Sequence, residues 1–179
     1  MQMVTAGSVG EADVTPGTVA FEAFYEAEYA ALLRLGYVLS GSRTTAEELV
    51  QETMLRTYRH WKKVRDYDKP GAWARRVLVN LATSRGRRLS AEAKAMVRLR
   101  GSRPPETQPR AESAELWSEL RKLPARQAQA LALFYVEDRS VADIASLLEC
   151  PEGTVKALMH RGRAALARAL GTDDEEDES

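Results

Sequence analysis

The chain has 179 residues, 44% of them hydrophobic and 29% charged, and a formal net charge of +0. That composition suits a globular protein of one large or two small domains; no apolar run nears the roughly 20 residues of a membrane span, and the N-terminus lacks a basic-then-apolar signal, so no membrane insertion and a cytoplasmic location are expected. Cys150 is the single cysteine, which excludes an internal disulfide and a cysteine-based metal site and fits a reducing compartment.

Residues 1–18 mix small and polar side chains with Gly and Pro, and predict a disordered N-terminal segment. Phe21, Phe24, Tyr25, Tyr29, Leu32, Leu33 and Leu35 predict a first helix ending near Ser40-Gly41. Thr44 and Thr45 precede Glu47 and Glu48 at capping-box spacing, which starts a second helix reaching about Trp61. On that helix Val50, Met54, Tyr58 and Trp61 can face inward, leaving Glu48, Gln51, Glu52, Leu55 and Arg59 outside. Such an acidic-and-leucine stripe could dock a protein, although the residues alone fit a solvated helix face better. After the loop VRDYDKPG a third helix is expected from Ala72 to Arg87, apolar nearly all round at Val77, Leu78, Val79 and Leu81. Its ends carry Arg75 and Arg76, then Arg85, Arg87 and Arg88, a density of guanidinium groups that attracts phosphate and makes binding salt-dependent. Tyr67 and Trp73 flank Lys69, and aromatic faces beside cations are what a single-stranded base stacks upon. Taken by itself, Trp73 fits a core anchor better.

Neutrality is the sum of opposed blocks. From Arg75 to Arg103 nine basic residues face one acid, Glu92, for +8, whereas the last nine residues carry six acids and no base, for −6. Ala91 to Arg100 can extend the third helix or hang loose; residues 101–110, GSRPPETQPR, hold three prolines and no core-forming side chain, and read as a linker. AELWSELRKL then forms a helix halted by Pro124, and Ala125 to Val136 the next. Ser140, with Asp143 three residues on, caps a short helix whose Val141, Ile144, Ala145 and Leu148 bury one side. A turn at Glu149-Cys150-Pro151 follows, with Pro151 suited to the first turn of the next helix. On that helix Val155, Leu158, Met159, Gly162, Leu166 and Leu170 share one arc, and Lys156, His160, Arg161 and Arg168 the other. This is a helix-turn-helix signature, its basic arc held outward at the width of a DNA major groove.

The expected architecture is all-α, two small helical domains joined by a flexible linker, the second ending in a helix-turn-helix. Its divisions are a disordered segment 1–18, a helical domain 19–90, a linker 91–111, a helix-turn-helix domain 112–171 and an acidic disordered tail 172–179. The tail reads as a solubilising end, or as a competitor that folds back on the basic helix. Nothing points to catalysis. His60 and His160 fall in separate lobes without a carboxylate set, no Gly-rich phosphate loop occurs, and Cys150 is explained as a small turn residue. No catalytic residue, metal ligand or cofactor is therefore assigned.

The ordered pattern resembles the extracytoplasmic-function (group IV) sigma factors of the bacterial sigma-70 family, and most of all an actinobacterial subgroup. AEELVQETMLRTYRHW (46–61) is similar to the family's polymerase-binding helix and KPGAWARRVLVNLATSRGRR (69–88) to its promoter-melting helix. Residues 115–166 resemble its fourth-region domain, and the three matches together span about 20–170. The resemblance implies that Glu48, Gln51, Glu52 and Leu55 grip core RNA polymerase. It implies that Tyr67 and Lys69, with Trp73, Arg76 and Asn80, open the downstream promoter element and hold its non-template strand. Lys156, Ala157, His160, Arg161 and Arg163 would read the upstream element as duplex. An anti-sigma factor is a further implied partner. Two departures stand out: Glu149 where the family's turn usually has Gly, and Ala157-Leu158 where the recognition helix commonly has Ser-Arg. The first asks for a strained left-handed residue or a different turn; the second alters upstream preference. Two other readings compete. A free-standing helix-turn-helix regulator would bind operators without polymerase, and a protein-binding helical adaptor would bind polymerase without initiating.

Overall fold

Among residues 16–100 and 112–171, which the computed structural model describes, the chain forms eight helices and no strand. They are α1 (Pro16–Ser40), α2 (Arg43–Arg59), α3 (Trp61–Val64), α4 (Pro70–Arg100), α5 (Glu112–Lys122), α6 (Ala125–Tyr135), α7 (Val141–Leu148) and α8 (Glu152–Leu170). Residues 1–15, most of the expected linker and the acidic tail lie outside the described residues.

Local chemistry explains the ends of these helices, and corrects several expectations. α1 begins at Pro16, inside the segment expected to be disordered, because proline loses no hydrogen bond at a helix start. It stops where Gly41 turns left-handed at φ +74° and donates its N–H to Tyr37 O. That turn leaves Ser42 extended, so the Thr45 N–H donates to Ser42 Oγ (3.3 Å). The cap of α2 is therefore Ser42, and Thr44 and Thr45 already lie within the helix. α2 ends at His60, and Trp61 opens the separate turn α3, where it is buried with Val64. Tyr58, expected inside, is 52% exposed, and its ring meets the edge of Phe21. The buried stripe of α2 runs instead through Ala46, Leu49, Val50, Thr53, Met54 and Thr57. Thr57 fits there because its Oγ1 donates to the Thr53 carbonyl (2.8 Å), satisfying that hydroxyl inside the helix, whereas Thr53 Oγ1 is buried with no hydrogen-bond partner among the described residues.

α4 continues without a break through residues 91–100, which the sequence had left open. Its front half is apolar nearly all round because it is packed on more than one side. α1 and α2 cover it from the first lobe, while α7 lies against it from the second.

In the second lobe Ser140 caps α7 as expected, its Oγ accepting from the Asp143 N–H (3.1 Å). Glu149 then takes a left-handed conformation, φ 52° and ψ 51°, which costs a residue with a Cβ about 1 kcal/mol or more. Pro151 stands one place earlier than expected, as the N-cap of α8. Val155, Met159, Gly162 and Leu166 are buried, with Leu158 and Leu170 half-buried, so the predicted arc faces the core. Gly162 is there for closeness: a Cβ at that position would sit 2.7 Å from Leu131 Cδ1 of α6.

The two lobes are not apart. One hydrophobic cluster runs from Leu32, Leu35, Val50 and Leu78 of the first lobe to Leu120, Leu131, Leu133 and Ile144 of the second. Buried Gln129 of α6 donates through Nε2 to Thr83 Oγ1 on α4, and Arg121 Nη1 donates to the Val38 carbonyl (3.4 Å).

Candidate nucleic-acid interface

The basic face of α8 is built by what lies beneath it. Val155, Met159 and Gly162 lock one side of the helix to α6 and α7, and this rotation leaves Lys156, Ala157, His160, Arg161 and Arg163 exposed. Arg161 folds back so that its Nε donates to the Ala157 carbonyl (3.2 Å) and keeps the rest of its guanidinium toward solvent. Arg163 differs from the others. Its Nε donates to the Tyr135 hydroxyl (2.9 Å), and its guanidinium lies 5.7 Å from the Phe134 ring centre and 5.8 Å from that of Tyr135. An arginine held on two rings is oriented before any ligand arrives.

The second basic region is the loop before α4 and that helix's first turns. Tyr67, Lys69 and Asn80 are exposed, Arg76 is half-buried, and Trp73 is half-buried with its ring tilted against His60. Tyr67, Lys69, Trp73 and Arg76 line a cleft of about 930 Å³, whose opposite wall is α7 with Ala142, Asp143 and Ser146; Asn80 is not part of its lining. Across it Lys69 Nζ donates to Asp143 Oδ1 (2.8 Å), Arg76 Nη1 to Glu149 Oε1 (2.7 Å) and Arg76 Nη2 to the Ser146 carbonyl (2.7 Å).

The hydrogen bond from Lys69, and then that from Ser140, holds the Asp143 carboxyl below the usual carboxylate range; the same bond raises the Lys69 amine. A depressed carboxyl contributes above its unfolded value and loses that contribution as pH falls through its folded value. The contact should therefore be constant from about pH 5 to 9 and weaken only below about pH 3.9. Arg139 and Asp68 also face the pair. Comparing the compactness of wild type with Asp143→Asn by small-angle scattering checks this: a difference between them that changes near neutrality would refute it.

Arg75, counted among the phosphate-attracting arginines from sequence, is withdrawn from solvent. Its side chain is 5% exposed, with Nη1 donating to Glu28 Oε2 (2.6 Å) and to the Gly71 carbonyl (3.0 Å), and Nε to Glu137 Oε2 (2.5 Å). Burial alone disfavours its charge, but the carboxylates of Glu137 and Glu28 outweigh that and raise its pKa. Gly71 makes the triad possible, since a Cβ there would collide with the Glu28 carboxylate and come within 2.8 Å of Arg75 Nη1. Sequence reasoning missed Glu28 and Glu137 as partners. They stand 47 and 62 residues from Arg75, beyond any helical or strand period.

The face of α2 is separate from both basic regions. Glu48, Gln51 and Leu55 are exposed; Glu52, half-buried, accepts from Arg56 Nε (2.7 Å), and Glu48 pairs with Arg85 Nη1 of α4 (2.7 Å). Leu55 therefore stands as an apolar point, 43% exposed, among charged neighbours.

The family models for "Sigma-70 region 2" and "Sigma-70, region 4" match residues 24–92 and 113–166. The RNA polymerase sigma-E factor of Streptomyces antibioticus is 30% identical over 155 residues, 86% of each chain. The ECF RNA polymerase sigma factor SigM of Mycobacterium tuberculosis is 29% identical over 160 residues, 89% of this chain and 82% of the relative. In fold, the chain is similar to the sigma factor RpoE of Bartonella quintana, solved in complex with the anti-sigma factor NepR. That match has a TM-score of 0.68 and 24% identity, covering 86% of this chain and 98% of that one. Helices, order and sequence thus agree, and the chain belongs to the extracytoplasmic-function group of the sigma-70 family of RNA polymerase sigma factors.

Proposed function

We propose that the chain is an alternative sigma factor that binds core RNA polymerase, recognises upstream and downstream promoter elements and directs where transcription begins. The observation that carries this is the pairing, in one chain, of a helix-turn-helix with its basic face turned to solvent and a second cationic, aromatic-flanked surface at the start of α4. The first suits duplex read in the major groove, the second an opened strand whose bases stack on side chains. Phosphate contacts would position the protein and a few base contacts choose the site.

In this reading Lys156, Ala157, His160, Arg161 and Arg163 face the upstream element. Tyr67, Lys69, Trp73, Arg76 and Asn80 serve the downstream element and melting, and Glu48, Gln51, Glu52 and Leu55 meet the polymerase. The protein supplies no catalysis itself and works in the cytoplasm, with the enzyme it directs. A solved relative held by an anti-sigma factor supports a protein inhibitor as a further partner.

Purified core polymerase with this protein on genomic fragments, with start sites mapped, tests the proposal: a shared upstream motif is expected, and no specific initiation would overturn it. On such a promoter Arg161→Ala should cost about 1–3 kcal/mol of discrimination between the cognate and a scrambled upstream element. An equal loss on both would make Arg161 a phosphate contact instead.

A further inference from the structure

Tyr135 stands at the edge of the upstream-facing surface and holds one of its members. It closes α6 with 57% of its surface exposed, beside a half-buried Phe134 that packs on the core. The two rings meet edge-on, centroids 5.0 Å apart at 84°, so Phe134 steadies the tyrosine. Tyr135 Oη in turn accepts from Arg163 Nε (2.9 Å), with the guanidinium over both rings. Resting on the assignment of Arg163 to the upstream element, we propose that Tyr135 is a positioning residue of the promoter interface. With Phe134 it aims Arg163 at a phosphate on one edge of the recognition helix α8, and so fixes how that helix sits in the groove without choosing bases.

Helical phase, position along α8 and free donors all point Arg163 to the backbone. Wound at about 100° per residue, Arg163 falls within about 20° of Lys156 and about 40° from buried Met159, whereas Ala157, His160 and Ala164 take the middle of the exposed arc. A helix in the major groove turns its middle to base edges and its flanks to the two backbones. Arg163 also comes late, about 16 Å beyond the start of α8 at Glu152, while it is the N-terminal residues of a recognition helix that meet base edges. Tyr135 takes the N–H on Nε, and those on Nη1 and Nη2 have no partner among the described residues. They form an end-on fork suited to phosphate oxygens. A flexible arginine loses rotamer freedom when DNA immobilises it; here the two rings and the hydroxyl impose that loss during folding. Among the described residues no side chain holds Lys156 or Arg168 in this way.

The test uses holoenzyme assembled from core polymerase and the full-length chain, titrated across a salt series against a fluorescein-labelled promoter duplex from the start-site mapping and against its counterpart with a scrambled upstream element. Arg163→Ala should lower the slope of log affinity against log salt by about 0.9, the share of one phosphate, and weaken both duplexes alike. Tyr135→Ala keeps that charge, so its slope should match wild type while affinity for both duplexes falls about two- to tenfold, the effect of ordering a freed side chain. Tyr135→Phe, with the ring kept and the acceptor gone, should fall between, and serves if Tyr135→Ala does not fold. On the Arg163→Ala background Tyr135→Ala should weaken binding no further, whereas a general loosening of the lobe would still show. Unchanged affinity in the Tyr135 variants that fold, or a loss confined to the cognate duplex, overturns the proposal. So does a loss that persists undiminished without Arg163, which would make Tyr135 a DNA contact itself. The reading beneath it fails separately, if Arg163→Ala alters neither affinity nor slope.

Discussion

Replacing Arg75 with alanine is expected to part the two lobes rather than to unfold either of them. In the closed molecule the substitution takes the hydrogen-bonded guanidinium away from Glu28, which still reaches solvent, and from Glu137, whose side chain is 2% exposed and which, among the described residues, keeps only Arg139 Nη2 at 3.7 Å. Its Oε1 already finds no hydrogen-bond partner among the described residues. Breaking a buried ion pair from one side costs about 3–5 kcal/mol, most of it the uncompensated charge left behind. That cost is attached to the closed arrangement alone, because separation returns Glu137 to solvent. The radius of gyration from small-angle scattering should therefore rise while helix content by circular dichroism stays constant. Arg75→Lys should fall between the two, since one ammonium cannot reproduce the fork that bonds Glu28 through Nη1 and Glu137 through Nε. A variant as compact as wild type would show that the apolar contact between the lobes suffices without the triad.

Leu131→Ala should destabilise the second lobe by about 2–5 kcal/mol, the range for a fully buried leucine cut back to alanine. Leu131 is 0% exposed in α6, and its Cδ1 lies against Gly162, where α8 comes closest. Losing it frees the recognition helix from its seat, so upstream binding should fail at temperatures where the first lobe still melts normally. Gly162→Ala supplies the discriminating partner. Alone it forces its methyl against Leu131; on the Leu131→Ala background it fills part of the cavity. Thermal denaturation of both singles and the double should give a favourable coupling of about 0.5–3 kcal/mol, and strict additivity would mean the two side chains do not meet.

Much of the architecture was legible in the chain because it rests on short-range rules. Ser140 with Asp143, the stripe Val155–Met159–Gly162–Leu166 and the proline at 124 are each decided within a few residues, so α5 to α8 fall almost where the periodicity puts them. Where reading went astray, competition was local. Gly41 supplied a turn that moved the cap of α2 from the threonines to Ser42, and the hydroxyl of Thr57 found a partner in the Thr53 carbonyl that lets it sit inside while Tyr58 lies outside. The candidate site was legible as residue types but not as states. Lys69 and Arg76 were rightly seen as cations near aromatics, yet nothing nearby in sequence says that Asp143 and Glu149 cover them.

By itself, then, the sequence determined an all-helical chain, the helix-turn-helix with its outward basic arc, and the family those features belong to, because helix period, capping and turn chemistry act over three to seven residues. Only the tertiary structure decided that Arg75 is a buried link and not a phosphate ligand, that Glu149 is worth its strain, and that the two lobes close on each other. Those outcomes depend on groups 47 to 74 residues apart meeting where water is excluded. Pairing at such separations is settled by how the lobes pack, and no local pattern carries that information.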